Sequence, residues 1–157
     1  MALIENGNVV AERIDIPSQW KAVVAIPDFE LHTEKARAVL PASYVRSDVV
    51  HNIGAVSFLM AAFMYNKPEY LKFGLDDHVH VPYRLGLIPG SEEVIRSSVK
   101  AGAYGATISG SGPTIIAFSP SDKAHLVGES MVSTFKHHGI TSSYIVLDFD
   151  QSGISAV

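Results

Sequence analysis

The chain has 157 residues, 47% of them hydrophobic, and a formal net charge of −4 at pH 7. This length suits one domain with a single core, and the acidic balance argues against a nucleic-acid partner. The absence of cysteine excludes disulfides and thiolate metal sites and fits a reducing cytosol.

The longest nearly uninterrupted apolar stretch, residues 53–65, is too short to cross a membrane, so we expect a buried helix there. The first residues lack the basic start and long apolar run of a signal peptide. We therefore expect a cytoplasmic protein without a membrane contact. No repeat, low-complexity tract or linker divides the chain, which predicts one domain over residues 1–157.

In chain order, the first predicted element is a β-hairpin from about residue 2, because ALI and VVAERI flank an ENGN turn. WKAVVAIP, residues 20–27, reads as a buried strand that ends at a proline. Thr33 is the predicted N-cap of a short helix. Ser47 is the predicted N-cap of a longer helix, which runs to Asn66 with apolar residues at helical spacing.

The second half of the chain begins with weaker signals. A short helix is predicted at residues 68–73, and DDHVHVPYRLGLIPG suggests a helix that is broken around Pro82 and Gly86. Ser91 begins a further predicted helix, which a glycine ends. Two strands around a glycine turn, a helix and a last strand follow, at residues 105–109, 114–118, 121–138 and 142–149.

Without the additional helices, the predicted order is βα…ββαβ. This order is typical of an α+β ferredoxin-like sandwich, a split βαβ fold in which helices cover one face of a four-stranded antiparallel sheet. The other face then needs a cover or a partner.

The turn in TISGSGPTIIAF, residues 107–118, is the most distinctive feature of the chain. A phosphate-binding glycine loop normally leads into a helix whose free N–H groups face the anion, but here a strand follows. Spacing alone therefore favours a plain hairpin. The small side chains at its tip nevertheless permit close approach of a ligand or of another loop. The tip consists of Ser109, Gly110, Ser111, Gly112, Pro113 and Thr114.

GATISGSGPTIIAF resembles the third conserved motif of the GHMP small-molecule kinases, in the form found in the homoserine kinases. AVVAIPDFELHTEKARAVLP, ASYVRSDVVHNIGAVSFLMAAF and DHVHVPYRLGLIPG resemble, in order and spacing, the carboxy-terminal half of the same family. The resemblance implies a GHMP kinase C-terminal domain. It also implies a reaction in which ATP phosphorylates the hydroxyl of L-homoserine, giving O-phosphohomoserine on the route to threonine.

The chain departs from the family in one respect, because it has no P-x-x-x-G-L-G-S-S-A-like loop. The resemblance therefore implies that the amino-terminal ATP-binding domain is absent, and with it most contacts to ATP and Mg²⁺. We expect the isolated chain to bind no cofactor, to be inactive, and to form a homodimer through the surface left open.

Two arginines are the candidate substrate-binding residues. Guanidinium groups suit a carboxylate, and the resemblance carries the family's carboxylate-binding arginines onto Arg46, in SYVRSD, and Arg84, in VPYRLG. Without the family, an ordinary surface role is the commoner one for each. The resemblance places the 109–114 turn against the phosphate loop of the absent domain. No residue is assigned as catalytic, since phosphoryl transfer depends mainly on positioning and charge neutralisation.

Two other hypotheses concern different classes of function. Asp76, Asp77, His78 and His80 lie close enough in sequence to suggest a metal-dependent hydrolase, but no further ligand cluster lies nearby, so we favour a solvated polar segment and no metal. A ferredoxin-like domain can also be a non-catalytic amino-acid-binding regulatory module. Such a module binds its amino acid alone, whereas half of a kinase needs its amino-terminal half.

Overall fold

A computed structural model describes residues 2–152 of the chain. Its elements in chain order are β1 (Ala2–Glu5), β2 (Asn8–Ala11), β3 (Trp20–Pro27), α1 (Thr33–Ala38), α2 (Arg46–Met64), a 3₁₀ helix (Pro68–Tyr70), α3 (Leu71–Gly74), α4 (Val81–Leu85), α5 (Ser91–Lys100), β4 (Gly105–Ile108), β5 (Ile115–Pro120), α6 (Ala124–His137) and β6 (Ser142–Leu147).

Strands β3 to β6 form a four-stranded antiparallel sheet in the order β4-β5-β3-β6. All three neighbouring pairs are antiparallel, and α6 connects β5 to β6. The ferredoxin-like α+β sandwich predicted from the element order is confirmed. The predicted hairpin at the start of the chain is also confirmed, as a separate two-stranded ribbon of β1 and β2.

Helices α5 and α6 cover one face of the sheet and enclose the main core. On α6, Val127, Met131 and Phe135 recur at helical spacing and are fully buried. The registered strand residues beneath the helices form two rows across the sheet, Ile108-Ile115-Ala25-Tyr144 and Ala106-Ala117-Val23-Val146. Burial of each large side chain in this layer stabilises the fold by roughly 1.5–3 kcal/mol.

The opposite face of the sheet is covered only in part. Trp20, Ala62 and Leu71 form a small second core there, between the start of β3, the end of α2 and α3. The indole Nε1 of Trp20 donates a hydrogen bond to Asn66 Oδ1 at 2.9 Å, which ties the segment just after α2 to the sheet. Toward β6 the same face remains open, and Ile145 and Leu147 are exposed.

Helix α2 corrects the expectation of a buried helix. Only Ala55 and Ala62 of its 19 residues are buried, because apolar residues occur around the whole helix and the rest of this chain packs against one side of it. An apolar row on the other side, which we call the α2 stripe, is exposed. It consists of Val49, Ile53, Val56 and Met64.

Helix α2 also begins seven residues before the apolar stretch at residues 53–65. Within residues 2–152, α2 is one helix that is long and apolar enough, by length and composition, to be a candidate membrane span. Its polar side chains nevertheless make protein contacts: Asn52, in the second turn, bonds to the loop before α4.

Several helix starts differ from the prediction. The N-cap positions of α1 and α2 are His32 and Val45, and neither side chain makes a capping hydrogen bond, so Thr33 and Ser47 are not the caps. Pro82 lies in the first turn of α4 instead of breaking a helix. Proline suits that position because the first N–H groups of a helix need no intrahelical acceptor.

Candidate functional site

The glycine turn is a closed hairpin with an open tip. Ser109 N donates to Thr114 O at 2.8 Å, and Gly112 N donates to Ser109 O at 3.0 Å. Gly110 and Gly112 both have positive φ angles, of 59° and 83°, which glycine adopts without steric cost. Within residues 2–152, the N–H groups of Gly110 and Ser111 have no hydrogen-bond acceptor.

The two glycines of the turn have different surroundings. A Cβ atom at Gly112 would lie 2.7 Å from Ile88 Cδ1 and 3.3 Å from Ile108 Cγ2, so this residue packs onto the core. A Cβ atom at Gly110 would meet nothing within 4 Å. One glycine therefore anchors the turn, and the other leaves its outer side accessible. The predicted hairpin is confirmed.

A cleft with a volume of about 440 Å³ opens beside Gly110, between α2, α4 and the edge strand β4. This volume falls within the range of small-molecule sites. Its walls are mostly apolar, with a few polar groups. The lining residues are Asn52, Ala55, Val56, Leu59, Gly74, Leu75, Asp77, His80, Val81, Arg84, Thr107, Ile108 and Gly110.

Asp77 organises the loop on one side of this cleft. Its Oδ1 atom accepts hydrogen bonds from Val79 N at 2.6 Å, His80 N at 3.0 Å and Asn52 Nδ2 at 3.1 Å. Partial burial raises the pKa of Asp77, but these hydrogen bonds, with one from Val81 N, outweigh it and hold the pKa below its usual value. The ionised carboxylate therefore fixes the loop that leads into α4.

Arg84 lies in α4 and lines the cleft. Its Nε atom donates to Ala36 O at 3.1 Å, and its Nη1 atom donates to Gly110 O at 3.1 Å. The guanidinium thus joins α1, α4 and the glycine turn. In the part of the chain that the structure describes, Nη2 has no acceptor. A charged, positioned donor therefore remains available at the cleft.

Arg46 is not among the residues that line the cleft. It is the exposed first residue of α2, and nine positions separate it from Ala55, which does line the cleft. Nine residues correspond to about 180° around a helix, so the two side chains leave α2 on opposite sides. The structure brings Arg84 and the turn together, and the substrate role of Arg46 stays a prediction.

The acidic and histidine-rich segment before α4 does not form one cluster. Asp77 accepts from loop N–H groups, and His80 lies beside it with a ring nitrogen 3.7 Å from Asp77 Oδ2. Asp76 and His78 instead meet His51 of α2. Sequence spacing missed His51, which lies 25 positions before Asp76. It also missed Asn52, a polar residue within an apolar helix.

Part of this chain matches a known protein family, and the chain is similar to known structures. The family model described as GHMP kinases C terminal matches residues 68–137, the segment with Arg84 and the glycine turn. The crystal structure of homoserine kinase from Cytophaga hutchinsonii superimposes with a TM-score of 0.86 at 34% sequence identity, over 93% of this chain. The chain contains a GHMP kinase C-terminal domain. The resemblance that the glycine motif indicated is therefore confirmed for this domain.

Two sequence relatives of this GHMP kinase C-terminal domain are also named homoserine kinase. The homoserine kinase of Desulfitobacterium hafniense is 37% identical over 157 residues, all of this chain, and that of Carboxydothermus hydrogenoformans is 45% identical over 141 residues, 90% of it. The chain spans about half of each: 53% and 45% of the two relatives, and 46% of the Cytophaga hutchinsonii chain.

Proposed function

We propose that this domain is the substrate side of a homoserine kinase, an enzyme that transfers the γ-phosphate of ATP to the hydroxyl of L-homoserine. The observation that carries the proposal is the position of Arg84, whose guanidinium lines the cleft while two backbone carbonyls hold it beside the glycine turn. Relatives named homoserine kinase, matched over all or most of this chain, support the choice of substrate.

The cleft offers complementary groups for an amino acid of this size. The Nη2 group of Arg84, which has no acceptor among the described residues, suits the carboxylate, because hydrogen bonds from a guanidinium to a carboxylate are charge-assisted. The apolar side chains of Val56 and Leu75 suit the methylene groups of the substrate. The unpaired N–H groups of Gly110 and Ser111 can donate to a phosphate oxygen next to the bound substrate. This domain then positions the acceptor, which is a major part of catalysis in phosphoryl transfer.

The residues of the cleft do not fit a magnesium ion. Mg²⁺ prefers carboxylate oxygens in octahedral geometry, and the cleft carboxylate, Asp77, already accepts four hydrogen bonds from its own loop and Asn52. The turn also leads into a strand and offers no helix N-terminus to a phosphate. We therefore assign ATP and Mg²⁺ to an amino-terminal domain, and expect this chain to be inactive without it.

The α2 stripe supports the need for that second domain. Val56 belongs to both the stripe and the cleft wall, so the exposed apolar surface begins at the rim of the cleft. A domain that covers the stripe also closes the cleft from water, and exclusion of water strengthens the electrostatic contacts made there. We propose that the amino-terminal half of the enzyme covers this surface.

The test is to restore the enzyme by co-expression or fusion with a matching amino-terminal half and to assay ATP-dependent phosphorylation of homoserine. We expect activity only in the restored form. Arg84→Ala should then raise the KM for homoserine by roughly 10–100-fold, the loss expected for a charged hydrogen bond, with a much smaller change in the KM for ATP. Arg84→Lys keeps the positive charge and should raise the KM for homoserine by a smaller factor.

Arg46→Ala tests the second arginine in the same assay, and Arg96→Ala is the matched control because Arg96 pairs with Glu92 on α5, away from the cleft lining. Circular dichroism shows whether each variant remains folded. Equal increases in the KM for homoserine and in the KM for ATP in Arg84→Ala would contradict the assignment of Arg84 to the substrate carboxylate. Saturable binding of homoserine by the isolated chain would instead support the amino-acid-binding regulatory module.

A further inference from the structure

We propose that His51, Asp76 and His78 form a binding site for a divalent transition-metal ion such as Zn²⁺. His51 lies in the second turn of α2, and the other two residues lie in the loop before α4. One donor atom from each residue lies within 4.8 Å of the others. His51 Nε2 is 3.1 Å from Asp76 Oδ2, and His78 Nε2 is 3.7 Å from the same oxygen.

The donor set favours zinc over the ions that bind oxygen alone. Two imidazoles and one carboxylate are common zinc ligands, and an open fourth position is available to water because the site is at the surface. Ligand atoms about 2.0–2.1 Å from a tetrahedral ion stand roughly 3.3 Å apart, which is close to the two separations from Asp76 Oδ2. Mg²⁺ prefers carboxylate and water oxygens, so it should not compete.

A neighbouring carboxylate already orients one of the imidazoles. Asp48 Oδ1 lies 3.4 Å from His78 Nδ1, one helical turn before His51 on α2. A carboxylate at the second nitrogen of a metal-binding histidine selects the tautomer that leaves the other nitrogen free for the ion. In His78 that other nitrogen is Nε2, the atom that faces Asp76.

Binding requires a small rearrangement of the two rings. The imidazoles of His51 and His78 stack with centroids 3.8 Å apart and planes within 14° of parallel. An ion bound in the plane of each ring requires those planes to converge, so the side chains must rotate. His51 Nε2 must also give up its 3.0 Å contact with Asp76 O. Partly exposed side chains rotate on fast timescales, and both contacts lie at the surface.

Ordinary histidine–carboxylate pairs elsewhere provide the contrast. His32 lies 3.5 Å from Glu30 as an exposed pair with a single imidazole. In the proposed site, two imidazoles from different elements face one carboxylate oxygen. An ion there joins α2 to the loop that Asp77 holds and that leads to Arg84, so metal binding should stabilise this part of the cleft wall.

The experiment titrates Zn²⁺ into the untagged, chelator-treated chain by calorimetry, and uses the visible spectrum of bound Co²⁺ to report the coordination geometry. We expect one saturable Zn²⁺ site, a tetrahedral Co²⁺ spectrum, and no saturable Mg²⁺ binding. His51→Asn and His78→Asn should abolish the site. Asp48→Asn should weaken Zn²⁺ binding by about 10–100-fold, as expected for a residue that orients a ligand.

His32→Asn is the matched control and should bind Zn²⁺ like the unmodified chain. Circular dichroism verifies the fold of every variant, and the Co²⁺ spectrum gives a second readout if a variant is less stable. The proposal is overturned if the unmodified chain shows no saturable Zn²⁺ binding, if His51→Asn binds as tightly as the unmodified chain, or if His32→Asn weakens binding as much as His51→Asn.

Discussion

The two faces of the sheet differ in how far this chain completes them. On one face, α5 and α6 close over strand residues such as Val23 and Ile115, which are fully buried. On the other face, α2 and α3 cover one end and leave Ile145 and Leu147 exposed. The first face holds the larger of the two hydrophobic cores. The second face carries the cleft, so the functional side is also the side that needs a partner.

The polar side chains of the two sides also differ. Ser91 and Ser98, on the closed side, are buried and donate to the carbonyl oxygens of Leu85 and Ile95, which are nearby in sequence. On the α2 side, Arg84 bonds to α1 and to the glycine turn, 48 and 26 positions away. The two buried serines are thus satisfied by nearby carbonyl groups, whereas the hydrogen bonds of Arg84 join separate elements beside the cleft.

The largest expected effect is on the closed face. Phe135→Ala removes a fully buried ring from the layer between α6 and the sheet, and it should lower the free energy of unfolding by about 3–5 kcal/mol. Urea denaturation followed by circular dichroism measures this. Leu126→Ala, at an exposed position of the same helix, should change it by less than about 0.5 kcal/mol. Similar losses for both would contradict a closed core on this face.

The glycine turn gives the next largest effect. Alanine at Gly110 or Gly112 must adopt a positive φ, which costs roughly 1–2 kcal/mol. Gly112→Ala should cost about 1 kcal/mol more, because its methyl group overlaps Ile88 and Ile108 while that of Gly110→Ala meets open space. Chemical denaturation of the two variants compares them directly. Equal costs would show that the turn does not pack onto the core as described.

The sequence predicted the sheet and the main helices because their signals are local. Alternation and helical periodicity depend on near neighbours, and the Asn-Gly turn between β1 and β2 has the positive φ angles, at Asn6 and Gly7, that its residues favour. The burial of α2 was predicted wrongly, because apolar periodicity does not say which protein surface covers a helix. The N-caps of α1 and α2 were also predicted wrongly, because these helices begin at other residues and without a capping hydrogen bond from a side chain.

The sequence motifs allowed some residues of the site to be predicted, but not the contacts between them. The resemblance indicated Arg84 and the glycine turn, but spacing could not reveal that the guanidinium bonds to Ala36 and Gly110, since the fold brings these residues together. The same limit applies to His51, which reaches Asp76 and His78 only through the packing of α2 against the loop.

A smaller effect is expected at the rim of the closed face. The hydrogen bond from His138 lowers the pKa of Glu93, so the ionised carboxylate stabilises the native state. This contribution is present above the unfolded pKa of 4.5 and is lost as the pH falls through the lower, folded pKa. Glu93→Gln should therefore lower stability slightly at pH 6, with a difference that vanishes in acid. Thermal unfolding across this pH range, with Glu92→Gln as control, checks the sign.

The smallest change in the isolated chain is expected on the α2 stripe. Ile53 is 66% exposed, so Ile53→Ala should alter the free energy of unfolding of this chain by no more than about 0.5 kcal/mol. In the restored enzyme the same substitution should cost about 2 kcal/mol or more, because a buried isoleucine loses both its transfer free energy and its packing. Denaturation of the chain alone and with the amino-terminal half separates these outcomes. An equally small effect in both would mean that the stripe stays open to water, and that the open face serves the cleft without forming an interface.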